Sequence, residues 1–177
     1  MVRRITIIAA ILLLTTSMLS GCMGLILARE SIEELREPAI PSIRYEKISI
    51  SQVWDTIEAQ PFTSRQTFIV DDSTNRISIY LKVNFNAPPL LNQTQFVRAS
   101  LTDAEGVVQW QEDVSSDYEP TEKQLLPAPS FAMGEWVLNV EARGYGESFV
   151  NQIKDEFSLR VTVEKSCIQY PLEDSCF

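Results

Sequence analysis

The residues that could carry out chemistry are few, and the absence of histidine from all 177 residues limits them further. Nucleophilic catalysis by serine or cysteine with a neighbouring imidazole base is therefore excluded. The lysines occur in no recognisable motif, which leaves a Ser–Lys arrangement without support. A pair of carboxylates could hydrolyse glycosides, but strand alternation predicts that Glu112, Glu135 and Glu141 face solvent. We therefore expect no enzymatic activity and no cofactor.

Metal binding has little support in the sequence. Residues 71–75, Asp-Asp-Ser-Thr-Asn, supply enough oxygen atoms for calcium, but they lack the glycine and the terminal glutamate of an EF-hand loop. Short polar side chains of this kind bond their own backbone, so we interpret the segment as a turn. We expect no metal site.

The three cysteines indicate a different chemistry, that of a lipid anchor and a disulfide. Cys22 follows two arginines near the N-terminus and an apolar run over residues 5–14, an order that is typical of a secretory signal. The residues Leu19-Ser20-Gly21-Cys22 resemble the lipobox of membrane lipoproteins. This resemblance implies cleavage before Cys22 and lipid on its sulfur, with the acyl chains holding the protein to a membrane.

An uncleaved signal anchor is the alternative, because apolar residues resume after Cys22 and the stretch reaches the roughly 20 residues that a bilayer span needs. Both interpretations place the bulk of the chain outside the cytoplasm, since Arg3 and Arg4 favour an internal N-terminus. The expected location is the cell membrane or cell envelope, facing outward. A formal net charge of −9 argues against nucleic acid as a partner.

If Cys22 carries lipid, Cys167 and Cys176 remain, and an even pair in an exported protein predicts a disulfide. The bridge would close a short loop and stabilise the C-terminal tail by about 2–3 kcal/mol. A metal site built on these two cysteines would lack further ligands, because the chain contains no histidine.

The elements that carry these residues are mainly strands. Ser31 and Glu34 fit a capping box, which predicts a short helix that ends before Pro38 and Pro41. From residue 43 onward apolar and polar residues alternate. This period predicts strands over residues 45–50, 67–70, 76–85, 96–102, 107–111, 135–142 and 157–164.

Leu125 and Leu126 suggest one more short edge strand within the polar segment 113–133. Seven or eight strands without a long helix predict an all-β fold, an antiparallel immunoglobulin-like or jelly-roll-like β-sandwich. The alternation also predicts that Val108, Trp110 and Trp136 point into the core. The expected division of the chain is a signal peptide (1–21), a lipidated tether and spacer (22–42), the sandwich (43–166) and a disulfide-stapled tail (167–177).

A turn with the sequence Leu101-Thr102-Asp103-Ala104-Glu105-Gly106, followed later by Gly134-Glu135-Trp136, is similar to a pattern in the sandwich modules appended to secreted proteases and bacterial surface proteins. In those modules a proline usually stands where this chain has Ala104. The resemblance implies a module that binds, braces or displays rather than one that catalyses.

Two tyrosines are candidates for exposed contact residues: Tyr145, which lies between two glycines, and Tyr118, in the polar segment. Asn92-Gln93-Thr94 is a possible glycosylation sequon, which predicts a surface loop. The leading hypothesis is an extracytoplasmic lipoprotein that acts as a non-catalytic protein-binding or structural module of the cell envelope. The alternatives are a carbohydrate-binding module and a signal-anchored accessory subunit of a membrane complex.

Overall fold

The computed structural model describes residues 29, 31–33, 37–56, 60–86, 95–147, 154–171 and 176, which belong to two units. The smaller unit combines parts of Met1–Ile40 and Gln169–Ser175. In it Arg29 and residues 31–33 are helical, in the segment 29–37 where the sequence predicts a short helix. Arg29 Nε donates to Glu33 Oε1 at 2.9 Å, an exposed pair one helical turn apart. Across these described ranges we find no helix with the length and apolar character that a membrane crossing requires.

The larger unit, Pro41–Ile168 with Cys176–Phe177, contains two four-stranded sheets and confirms the predicted β-sandwich. The first sheet has the order β1-β8-β3-β6, and the second has the order β2-β7-β4-β5. The pairs β2–β7, β3–β6, β3–β8, β4–β5 and β4–β7 are antiparallel. The strands are β1 (Ile40–Val53), β2 (Gln60–Val70), β3 (Thr74–Asn84), β4 (Phe96–Thr102), β5 (Val108–Val114), β6 (Tyr118–Leu125), β7 (Gly134–Gly144) and β8 (Glu156–Gln169).

Alternation places one face of each central strand in the core, as the sequence predicts. On β3 this face consists of Ile77, Ile79, Leu81 and Val83, all of them buried. The same period on β7 and β8 buries Trp136, Leu138, Val140, Ala142, Phe157, Leu159, Val161 and Val163. These side chains join one cluster between the sheets, and apolar burial of this kind contributes about 25 cal/mol per Å².

The edge strands are longer than the alternation predicts. β1 begins at Ile40 and β2 at Gln60, whereas the pattern predicts starts at residues 45 and 67. Each contains a proline near its start, Pro41 or Pro61, and an edge strand tolerates proline because one of its sides needs no donor. The predicted strand near Leu125 is β6, which lies at the edge of the first sheet.

The prediction that Val108 points into the core is wrong, because this side chain is 51% exposed. The pairing of β4 with β5 shifts its register between Leu101 and Thr102, so the alternation is interrupted at the start of β5. Trp110 follows the interruption and is buried as predicted.

The predicted disulfide between Cys167 and Cys176 is confirmed, with the two Cα atoms 5.7 Å apart. Cys167 belongs to the last part of β8, and Cys176 lies beyond the end of that strand. The bridge therefore holds the end of the chain to the final strand of the sandwich.

One end of the sandwich is closed by Trp54, which is almost completely buried. Its indole Nε1 donates to the carbonyl oxygen of Gln60 at 2.9 Å. Its backbone N–H donates to the carbonyl oxygen of Asp155 at 3.0 Å. Two glycines pass directly against it. A Cβ atom on Gly144 would overlap the indole ring, and one on Gly146 would overlap the carbonyl oxygen of Trp54.

We expect Gly146→Ala to lower the free energy of unfolding by about 2–3 kcal/mol, because rigid backbone stands where the new methyl group would lie. Chemical denaturation measures this loss. Gly106→Ala is the matched control: its φ of 84° strains an alanine by about 1 kcal/mol, but its Cβ would meet no atom within 4 Å. Equal losses in the two variants would contradict the close packing at Trp54.

Candidate functional site

A shallow cavity of about 580 Å³ lies on the outer face of the second sheet, and we name it the polar groove. Its volume falls within the range of ligand-binding sites, roughly 300–1,000 Å³. All four strands of the second sheet contribute to it. The lining residues are Thr63, Ser64, Arg65, Arg98, Ala99, Ser100, Gln111, Asn139, Val140 and Glu141.

Strand register aligns the polar side chains of the groove in rows that cross the sheet. In one row, Arg65 on β2 pairs with Asn139 on β7, which pairs with Ser100 on β4, which pairs with Gln111 on β5. Positions on neighbouring strands are about 4.8 Å apart, so this row spans about 14 Å. We name it the amide row.

A second row lies two residues away along the strands, a distance of about 6.8 Å. It consists of Thr63 on β2, Glu141 on β7, Arg98 on β4 and Asp113 on β5. We name it the charged row. All members of the two rows except Asp113 line the groove.

The alternation of the core dictates that these rows face outward. Val140 and Ala99, which alternate with the groove residues on β7 and β4, are buried between the sheets. A slip of one residue in either strand would exchange the two faces and bury Asn139, Glu141 or Arg98. The apolar core therefore fixes the orientation of the polar groove.

The arginines of this face differ in their partners. Arg98 Nε donates to Asp113 Oδ2 at 2.9 Å, and its guanidinium lies 4.5 Å from the centre of the Phe96 ring. Both members of that ion pair are more than half exposed, so it contributes little to stability. Arg65 makes no ion pair with any residue in the described ranges. Beside the groove, Arg143 has a buried Nε that lacks a hydrogen-bond acceptor there.

The groove offers many groups that can form hydrogen bonds. Its guanidinium, amide, hydroxyl and carboxylate groups can donate to a ligand, accept from it or do both. Within the ranges that the structure describes, no cluster of three or more acidic or cysteine side chains could hold a metal ion.

The prediction that Tyr145 is exposed is wrong, because the side chain is only 2% exposed. Its backbone N–H donates to Asp155 Oδ2 at 2.8 Å, which draws this segment inward. Burial raises the pKa of the Tyr145 phenol. Tyr118 is half-buried against the core, and its phenolic oxygen accepts a hydrogen bond from Thr121 Oγ1 at 3.1 Å.

The structure also places the predicted turn and the three candidate carboxylates. The predicted turn at residues 71–75 is present: Asp72 and Ser73 form a turn between β2 and β3, and β3 begins at Thr74. Of the three carboxylates predicted to face solvent, Glu135 and Glu141 are exposed, whereas Glu112 is half-buried. Cys22 and Asn92 lie outside the described residues, so lipidation and glycosylation stay predictions.

Lys165 is a buried amine that the sequence analysis did not single out. Its Nζ donates to the carbonyl oxygen of Ile69 at 2.8 Å and to Asp71 Oδ2 at 3.1 Å, and Glu46 lies 3.6 Å away. The hydrogen bond from the Ser73 hydroxyl has the largest effect on the Asp71 carboxyl. Together with the hydrogen bond from Lys165, it holds the pKa of Asp71 below its usual range. These contacts assign Lys165 to the fold.

Asp103, in the turn that resembles the accessory-module pattern, is also buried. Its Oδ1 accepts from the backbone N–H groups of Glu105 and Val107 at 2.9 Å each, and its Oδ2 accepts from Gln109 Nε2 at 2.6 Å. Burial acts to raise the pKa of Asp103, but these hydrogen bonds outweigh it and hold the pKa below its usual range. The turn therefore acts as a structural element of the hairpin.

A second surface lies at the edges of β5 and β6, around a cavity of about 340 Å³. Phe131 and Trp136 line this cavity, and Lys123, Gln109 and Gln124 contribute its polar side. Four exposed apolar side chains, which we name the apolar rim, occur in the same segments of the chain: Leu126, which lines the cavity, Val108 and Met133, which adjoin lining residues in sequence, and Val107, which precedes Val108. Exposed apolar residues that form one contiguous patch are typical of protein-interaction surfaces.

The sequence analysis missed both the polar groove and the apolar rim. The signal for the groove was present as outward polar residues on four strands, among them Arg65, Asn139 and Ser100. Alternation gives the face of each strand, but it does not give the order of strands in a sheet. The groove exists only because β7 and β4 lie between β2 and β5.

No model of a protein family matches the sequence, and no curated protein sequence matches it. Among solved structures, the fold is similar to that of the carbohydrate-binding module TmCBM61 in complex with β-1,4-galactotriose, at 10% identity and a TM-score of 0.39 over 72% of this chain and 88% of that chain. It is also similar to the VP2 subviral particle of infectious bursal disease virus, at 12% identity and a TM-score of 0.32 over 73% and 37%. A third likeness is to latent PorU from Porphyromonas gingivalis, at 8% identity and a TM-score of 0.29 over 73% and 13%. Likenesses this distant assign no family.

The hydrogen bonds to Asp103 predict an acid-dependent stability. A carboxyl whose folded pKa is lowered stabilises the fold fully above its unfolded pKa of about 3.9, and that contribution is lost as pH falls through the folded pKa. We therefore expect the free energy of unfolding to decrease below about pH 4. Asp103→Asn should be less stable by about 2 kcal/mol at neutral pH and should show a smaller further loss in acid.

Denaturant melts at neutral pH and at acid pH measure both effects. Asp72→Asn, at an exposed position of the turn before β3, is the control and should behave like the original protein. An Asp103→Asn variant with unchanged stability at neutral pH would show that the carboxylate does not stabilise the hairpin of β4 and β5.

Proposed function

We propose that this protein is a non-catalytic binding module held at the outer face of a cell membrane by lipid on Cys22. The support for the tether is the order of basic residues, apolar run and Leu-Ser-Gly-Cys sequence at residues 19–22. An acidic chain gains little from anionic lipid headgroups, so acyl chains are the stronger means of attachment.

The observation that carries the binding function is the polar groove. Four strands bring the amide row and the charged row into one concave surface of about 580 Å³. The polar groups buried at Asp103 and Lys165, by contrast, have partners within the fold. Those buried groups are committed to the fold, whereas Arg65, Asn139 and Glu141 of the groove are exposed.

Two classes of ligand fit different surfaces of the sandwich. A carbohydrate fits the polar groove, whose lining is rich in hydroxyl, amide and charged groups and poor in large apolar side chains. A protein partner or a neighbouring subunit of an envelope assembly fits the apolar rim, because the cores of protein interfaces are enriched in apolar and aromatic residues.

The tether predicts a defined mass for the membrane-extracted protein. We expect intact mass spectrometry to show a chain that begins at Cys22, carries acyl groups and retains the disulfide. Cys22→Ser should abolish the lipid mass, whereas the double variant Cys167→Ser with Cys176→Ser should keep it. A native protein that retains Met1 or bears no acyl mass would contradict the lipid tether.

The groove predicts that full-length protein in detergent co-sediments with delipidated cell envelopes of its source organism. Ser100→Trp fills the middle of the amide row and should weaken this binding about tenfold or more, because a misplaced bulky group can remove about 1–2 kcal/mol of contacts. Ser78→Trp places the same side chain on the outer face of the first sheet and serves as the matched control. Equal binding by both variants would exclude the groove as the ligand surface.

A further inference from the structure

We infer that the polar groove binds an uncharged polysaccharide edge-on, through pairs of adjacent hydroxyl groups, with Glu141 and Asn139 as the central contacts. This inference rests on the proposed function, because it assumes that the groove is the ligand surface. It adds that the carbohydrate is an uncharged polymer, that adjacent hydroxyl groups are recognised, and that the sugar rings lie edge-on.

The charges of the two rows favour an uncharged ligand. Arg65 and Arg98 contribute two positive charges, and Glu141 and Asp113 contribute two negative ones. A polyanion would meet the carboxylates of the charged row as well as the net charge of −9 on the whole protein. A polycation would meet the two guanidinium groups. A neutral chain with many hydroxyl groups avoids both penalties.

The shapes of the side chains favour adjacent hydroxyl groups. Each hydroxyl both donates and accepts, and two of them on neighbouring ring carbons present two such positions side by side. The Glu141 carboxylate can accept from both members of a pair, and the Arg65 guanidinium can donate to both. The Asn139 amide can accept from one member and donate to the other. Three planar groups with complementary patterns therefore stand next to one another across β2 and β7.

The dimensions favour a chain that crosses the strands. The amide row presents one side chain every 4.8 Å or so over about 14 Å, which is the scale of a short oligosaccharide. The charged row runs parallel to it at about 6.8 Å. A sugar chain that lies along the groove can therefore reach one row with each of its edges.

The groove offers no platform on which a sugar ring could stack. Among its described lining residues there is no aromatic side chain, and Trp54, Trp110 and Trp136 are all buried in the sandwich. The Phe96 ring on β4 is covered by the guanidinium groups of Arg98 and Arg143, which lie 4.5 and 5.9 Å from its centre. Hydrogen bonds from the edges of the sugar rings must then supply the affinity, and tryptophan emission should not report the binding.

The experiment uses full-length protein in detergent and calorimetric titration with soluble neutral galactan, xylan and glucomannan, together with polygalacturonate as the anionic arm. We expect binding to at least one neutral polymer and little change with added salt, since no ligand charge is screened. Periodate oxidation followed by borohydride reduction cleaves the carbon–carbon bond between adjacent hydroxyls and leaves separate alcohols. Polymer treated in this way should lose its binding.

Matched variants connect the binding to the groove. Glu141→Gln and Asn139→Ala should each weaken binding about tenfold, which corresponds to the loss of hydrogen bonds to a well-placed group. Glu119→Gln on β6 and Asn75→Ala on β3, both at exposed positions of the other sheet, should bind like the original protein. Thermal melts establish that all four variants fold.

Stronger binding of polygalacturonate, or unchanged binding of oxidised and reduced polymer, would overturn the inference. If no polysaccharide binds but co-sedimentation with envelopes still depends on Ser100, the inference fails and the proposed function stands. If neither form of binding depends on the groove, both fail.

Discussion

The buried carboxylate of Asp155 is the interaction on which the alignment of the two sheets depends. Its Oδ2 accepts hydrogen bonds from the Tyr145 backbone N–H at 2.8 Å and from Gln95 Nε2 at 2.9 Å, and its backbone pairs with Trp54 and Tyr145. Trp54 and Asp155 adjoin β1 and β8 of the first sheet, whereas Tyr145 and Gln95 adjoin β7 and β4 of the second. A buried carboxylate without such partners would cost several kcal/mol. The ends of these four strands must therefore meet, and β7 and β4 are the strands that carry the middle of the polar groove.

Lys165 plays the corresponding part near the other end of β8. Its hydrogen bond to Ile69 joins the last strand of the first sheet to the end of β2, the edge strand that carries Arg65. The apolar core between these two polar junctions supplies most of the favourable free energy, but it is non-directional. The hydrogen bonds of Asp155 and Lys165 fix the positions of the strands relative to one another, because a hydrogen bond to a buried charge tolerates little displacement. The positions of the groove residues are therefore set by Asp155 and Lys165, which are buried and lie outside the groove.

The sequence was informative where burial is local and uninformative where it depends on distant neighbours. The alternation on β3, β7 and β8 identified core residues such as Ile79, Leu138 and Val161, because one face of each central strand must be apolar. Tyr145 was misjudged, because its flanking glycines resemble those of an exposed loop. In fact those glycines let the chain pass against Trp54. The order β2-β7-β4-β5 arises from contacts between residues far apart in the chain, and so the groove could not be predicted.

The two outer faces show how strand pairing decides whether charged side chains are available to a ligand. On the first sheet several charged side chains have a partner on the neighbouring strand: Arg76 is paired with Glu164, Lys82 lies 3.8 Å from Glu156, and the Arg160 guanidinium lies 5.2 Å from the centre of the Tyr80 ring. On the second sheet register sets Arg65 opposite Asn139 rather than opposite a carboxylate. A group that is already bonded must break a protein contact to engage a ligand, whereas Arg65 and Asn139 exchange only water. The antiparallel register therefore decides which charged side chains are paired across strands, such as Arg76 and Glu164, and which remain available to a ligand, such as Arg65.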